Sequence, residues 1–108
     1  MSPSDFDAVA EVALEQIQQA LEASGVDADI ELKGDGVIEL AFEDDSRVVI
    51  NRHRAAQEIW VAARSGGFHY RWDGSTWLDT RDGSELFAAL SKVVSAQGGK
   101  PVRLAPSP

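Results

Sequence analysis

Carboxylates at helical spacing stand near the start of the chain: Glu11, Glu15 and Glu22, with Gln18 between them. Side chains three or four positions apart on a helix are neighbours, so Glu11 and Glu15 can share a cation. Asp27 follows, and then Asp29 and Glu31. On a strand those last two point to the same face, roughly 6–7 Å apart by strand rise. Such groups are hard oxygen ligands, suited to Mg, Ca and Mn, and to iron where no softer ligand is offered. The spacing matches no preformed cage: there is no EF-hand loop, no local two-histidine facial triad and no His-x-x-x-His. A metal site made from these residues is therefore shallow, hydrated and weakly selective. For any one of them a solvated acidic helix face is the simpler account. Acids from two elements merging into one surface point instead to cation binding.

The elements that must position these residues are legible in the pattern. Ser2 caps, Pro3 takes the first helical position, and Asp5 lies in the first turn. Phe6, Val9, Ala13, Ile17, Ala20 and Leu21 form one apolar stripe, and Ser24-Gly25 ends the helix. Short alternating runs follow, separated by turns at Gly34-Asp35-Gly36, Glu43–Ser46, Ser65–Gly67 and Asp73-Gly74. Asp82 with Glu85 resembles a capping box. Leu86, Leu90 and Val93 or Val94 then form the stripe of a second helix that stops at Gly98-Gly99. Hairpin-length connections require an antiparallel sheet, and two amphipathic helices need one apolar sheet face. The expected fold is α+β: a two-layer sandwich, with N- and C-terminal helices on one face of a roughly six-stranded antiparallel sheet. The predicted spans are helix 3–24, strands across 29–78 and helix 84–97. Phe6, Ile17, Leu21, Ile38, Leu40, Ile59, Val61, Leu86 and Leu90 are predicted to be buried. One domain spans 1–108, ordered over about 3–104, with Ala105–Pro108 expected to be unpaired and mobile.

Charge is divided along the chain. Residues 1–45 carry thirteen acids against the single base Lys33, and residues 46–108 carry nine bases against five acids, so halves of −12 and +4 make up the net −8. A field that lopsided draws cations and basic protein surfaces to one side. Nucleic-acid binding needs a basic footprint and is not expected. No cysteine is present, which excludes disulfides, thiolate-held clusters and a persulfide relay through this chain. No apolar run approaches a membrane span, and nothing at the start reads as an export signal, so the expected location is the cytoplasm. Catalysis is not expected either. Phosphate-cradling loops and nucleophile elbows are absent, and an exposed carboxylate ridge lacks the cleft that tunes acid–base groups. His53 and His69, the two histidines, read as surface or sheet residues.

One stretch is more specific: Ile50-Asn51-Arg52-His53, Gln57-Glu58-Ile59-Trp60-Val61-Ala62, then Ser65-Gly66-Gly67. It resembles the signature of the frataxin family in its bacterial branch, approximately Ile-Asn-Arg/Lys-Gln-x-Pro-x-x-Gln-Ile-Trp-Leu-Ala followed by Ser-Gly-Gly/Pro. Trp72-Asp73-Gly74-x-x-Trp77 and Asp82-Gly83-x-x-Leu86 resemble the family's final hairpin and entry into the last helix. The likeness runs in order from residue 4 to about 104. It implies a non-enzymatic protein of iron–sulfur cluster assembly whose acidic ridge binds Fe²⁺ and Fe³⁺ and meets the cysteine desulfurase, with the cluster scaffold protein as a further partner. The counterparts of the ridge are Glu22, Asp27, Asp29 and Glu31; the helical pattern of this chain adds Glu11 and Glu15. The family's open sheet face implies partner contacts through Trp60 and Asn51, and its last hairpin a contact through Arg81. Alternation supports the exposure of Trp60, since Ile59 and Val61 share the other face and leave it as a lone exposed tryptophan, a common interface anchor. The expected form is a monomer, with iron as the agent of any self-association. Gln18 and Gln19 stand where relatives often have acids, and His53, Ala55 and Glu58 replace the signature's glutamine, proline and second glutamine. The competing reading is an acidic adaptor that mates with a basic partner without metal.

Overall fold

Local chemistry starts the first helix where the sequence predicts it. A computed structural model describes residues 1–106, and in it helix α1 (Pro3–Ser24) opens with the Ser2 side chain accepting from the Asp5 backbone N–H at 3.1 Å. It closes on Gly25, whose φ of 72° is left-handed and is adopted without the cost a Cβ would add. Six strands follow: β1 (Ala28–Leu32), β2 (Val37–Phe42), β3 (Arg47–His53), β4 (Glu58–Ala63), β5 (Gly66–Trp72) and β6 (Trp77–Asp79). Helix α2 (Leu86–Gly98) comes last. Every neighbouring strand pair is antiparallel and the sheet order is the sequence order. A plain meander of this kind puts β1 and β2, the strands of the acidic half, at one edge of the sheet, while β3 brings Arg47 and Arg52 beside them.

Alternation then sorts each strand into two faces. Ile38, Leu40, Phe42, Val48, Ile50, Ile59, Val61, Tyr70 and Trp77 point to the helices and join Phe6, Ala10, Ala13, Leu14, Ile17 and Leu21 of α1 and Leu86, Phe87, Leu90 and Val94 of α2 in one core. All nine residues predicted to be buried are buried. The register sets Val37, Asn51, Trp60 and His69 in a row across the opposite, open face.

One expected boundary shifts at the C-terminal end. The second helix starts at Leu86, and its cap is Glu85, whose carboxylate accepts from the Phe87 and Ala88 N–H groups at 2.7 and 3.1 Å. Asp82 spends its carboxylate on the Ser84 N–H, and an antiparallel bridge from Glu85 to Leu78 holds Glu85 extended, so no helical turn forms earlier. The tail is anchored as far as Leu104. Ser91 and Ser95 accept from the backbone N–H groups of Leu104 and Val102, both at 2.9 Å, and Leu104 is buried. Ala105 and Pro106 are exposed; Ser107 and Pro108, the rest of the segment expected to be mobile, lie outside the described residues.

Candidate functional site

The acidic residues occupy one edge of the sandwich but two of its faces. Glu11, Glu15 and Glu22 are exposed along α1, where Gln18 donates to Glu22 at 3.2 Å. Glu11 and Glu15 border a groove of about 480 Å³ between α1 and the β1–β2 turn. Asp27 is exposed in the connection to β1. Asp29 and Glu31 project from edge strand β1 to the open face, because Ala28 and Ile30 take the inward positions. Glu31 shares Lys33 with Glu39, at 3.7 and 3.0 Å, and Arg47 closes on Glu39 from β3. The hydrogen bonds from Lys33 and Arg47 hold Glu39 below the usual carboxylate range. Glu11, Glu15, Asp27 and Asp29 have no such partner among the described residues. Nor do any three Asp, Glu, His or Cys side chains there come together to hold one metal ion. The edge offers separate, hydrated carboxylates of the hard-donor type, and no cage.

The floor of the groove holds charges that the sequence reading passed over. Arg52 sits at an inward position of β3, its side chain only 7% exposed. It reaches Asp35 of the β1–β2 turn at 2.8 Å and stands 4.0 Å from Asp7 of α1. Arg54 bonds the same two carboxylates, each at 3.0 Å. Gly36 makes room for this, since a Cβ there would lie 3.1 Å from the Arg52 side chain. The available signal was a base at a position where Val48 and Ile50 set an apolar alternation.

At the centre of the open face Trp60 is not alone. His53 from β3 stacks on one side of its indole (centroids 3.7 Å, planes 12° apart) and His69 from β5 on the other (4.3 Å, 8°). The indole N–H donates to Glu58 Oε1 at 2.8 Å, and Arg71 Nε donates to Glu58 Oε2 at the same distance. Glu58 is only 6% exposed. Burial pushes its carboxyl up, but the bonds from Trp60 and Arg71 and the nearby positive charge outweigh this and hold it below its ordinary value. The expectation of a lone exposed tryptophan is therefore corrected: Trp60 lies on the open face but is half-buried between two imidazoles. Asn51 is its register partner on β3 and is also half-buried. Arg81 is exposed beyond β6, where it donates to the Gly67 carbonyl at 2.6 Å beside the Phe68 ring. That is the opposite edge from the acids.

Comparison with known proteins decides what kind of chain carries these two features. The pattern of the frataxin-like domain matches residues 1–100. The iron–sulfur cluster assembly protein CyaY of Dechloromonas aromatica is 53% identical over 96% of this chain and 99% of its own length. The chain belongs to the frataxin family. The CyaY protein of Cupriavidus metallidurans is 51% identical over 92% of each chain. Among solved structures, frataxin from Psychromonas ingrahamii superposes with a TM-score of 0.88 at 30% identity, covering 97% of this chain and 99% of that one. A trimeric frataxin from Saccharomyces cerevisiae, complexed with ferrous iron, superposes at 0.65 with 26% identity, covering 88% and 86%. In this frataxin-family chain His53 and Glu58 meet at Trp60, the imidazole stacked on one face of the indole and the carboxylate accepting its N–H.

Proposed function

We propose that this frataxin-family protein serves iron–sulfur cluster assembly in the cytoplasm without being an enzyme. It binds Fe²⁺ or Fe³⁺ weakly at Glu11, Glu15, Glu22, Asp27, Asp29 and Glu31, and that edge docks on the cysteine desulfurase and its scaffold partner. Trp60, Asn51 and Arg81 supply further contact. Relatives named as iron–sulfur cluster assembly proteins support the process, and a ferrous complex of the yeast protein supports the metal.

The observation that carries the reading is how the carboxylates are spent. All five acids of the second half are committed: Asp73, Asp79, Asp82 and Glu85 accept backbone N–H groups, and Glu58 serves Trp60 and Arg71. The carboxylates of Glu11, Glu15, Asp27 and Asp29 have no such partner among the described residues. Solvated carboxylates on one edge keep a long-range attraction for cations and basic surfaces, which speeds encounter more than it tightens binding.

The absence of a three-ligand group among the described residues favours a second reading, in which the edge mates with a basic partner and iron plays no part. One experiment separates the two: anaerobic Fe²⁺ titration followed residue by residue by NMR, with and without the desulfurase. Iron binding predicts paramagnetic broadening confined at low excess to α1, Asp27 and β1, weakening in acid because carboxylates must be ionised to bind. Uniform broadening, with desulfurase binding intact, would leave only the adaptor.

A further inference from the structure

The two plates of the stack are held differently. His53 is pinned, since its Nδ1 accepts from the Ala56 N–H at 3.2 Å. The His69 side chain is 47% exposed and makes no hydrogen bond among the described residues; Glu58 Oε1 lies 3.6 Å from its Nδ1, a charge contact too long for a hydrogen bond. Stacking and this longer contact with Glu58 hold it, with no hydrogen bond of the kind that pins His53, so His69 is the more weakly held plate and the one that can leave. When it leaves, one face of Trp60 opens while the other stays backed by His53.

We infer that the place His69 occupies is a receptor slot for a planar cation, the guanidinium of an arginine presented by a protein partner. The shape of the slot is set by the indole face, against which His69 already lies at 4.3 Å and 8° from parallel. Its sign is set by Glu58. Oε1 takes one bond from Trp60 and keeps a second lone pair, while Arg71 engages the other oxygen. A guanidinium stacks flat on an aromatic face, carries a permanent charge and has donors around its rim. One of those donors closes on Oε1 the contact that the imidazole leaves open. An ammonium has no plane to stack, and an aromatic ring without a donor leaves the carboxylate unmet. The inference rests on the docking reading only for the source of the arginine; the slot itself is a property of this chain.

The test needs no partner. N-acetyl-arginine amide and N-acetyl-lysine amide are titrated at constant ionic strength against ¹⁵N-labelled protein, and the indole N–H signal of Trp60 is followed. The arginine probe is expected to shift that signal at least threefold more than the lysine probe. His69→Ala, which removes the plate without touching Glu58, is expected to raise the apparent affinity for the arginine probe about tenfold. Glu58→Gln is expected to erase the preference. Equal responses to both probes in the wild type and in His69→Ala would overturn the slot, as would an arginine-specific shift confined to Trp72 and Trp77. Either failure leaves the acidic edge untouched, because docking through that edge is read separately by its own variants and by salt.

Discussion

On the α1–β1 edge, the carboxylates of Glu11, Glu15, Asp27 and Asp29 reach into solvent and have no hydrogen-bond or ion-pair partner among the described residues. On the open face, Glu58 is 6% exposed, with a donor on each oxygen and an aromatic clamp above it. Both places carry carboxylates, yet they do different physical work. The edge acts at a distance through unneutralised charge, which salt screens over a Debye length of about 8 Å at physiological ionic strength. The stack acts at contact, through shape and one desolvated charge. A partner that uses both is steered by the first and retained by the second.

Breaking the edge is expected to have the largest effect. Replacing Glu22, Asp27, Asp29 and Glu31 together by lysine should slow association with the desulfurase by about a hundredfold at low salt, within the range by which steering changes on-rates. Stability should hardly move, since all four side chains are exposed. Stopped-flow or surface-plasmon measurements across a salt series check this, and association as fast as wild type at low salt would sink the steering role.

Trp60→Ala attacks the other region. Dissociation should quicken about tenfold with an unchanged salt slope, because an anchor is lost and no charge. Unlike the edge variant, it should also cost the fold about 2 kcal/mol, since two imidazoles lose their stacking partner and Glu58 loses a donor. Denaturant titration measures that cost. A loss of salt dependence in this variant would mean that the two regions are not separable.

Glu58→Gln gives the smallest effect and sharpens the contrast through pH. The folded carboxyl is held below its ordinary value. Its contribution to stability is therefore present above the unfolded value of about 4.3 and is lost as pH falls through the folded one. Wild type should lose stability more steeply than Glu58→Gln between pH 5 and pH 3, and should be the more stable of the two at pH 7, by about 1 kcal/mol. Parallel pH profiles would show that the bonds from Trp60 and Arg71 do not favour the ionised form.

The sequence by itself determined what depends on near neighbours. Ser2, Pro3 and Gly25 bound α1 because caps act within a turn of the helix end. The strand alternations and the two helical stripes chose the buried faces, and with them every core residue named from the sequence, because side chains repeat with a period of two on a strand and 3.6 on a helix. The uneven charge survived folding only in part: the meander keeps β1 and β2 at one edge, but Arg47, Arg52, Arg54 and Arg64 fold back onto acids of the first half. The tertiary structure decided what depends on register. His53, Glu58, Trp60 and His69 become one object only because β3, β4 and β5 pair so that Asn51 faces Trp60 and Trp60 faces His69; a slip of one residue would send these side chains to the other face. The Asp7–Arg52–Asp35–Arg54 network likewise joins a helix, a turn and the end of a strand. The late start of α2 depended on a bridge from Glu85 back to Leu78. Local rules act over a few residues and a few ångströms, whereas these contacts are made across the sheet after the chain has closed.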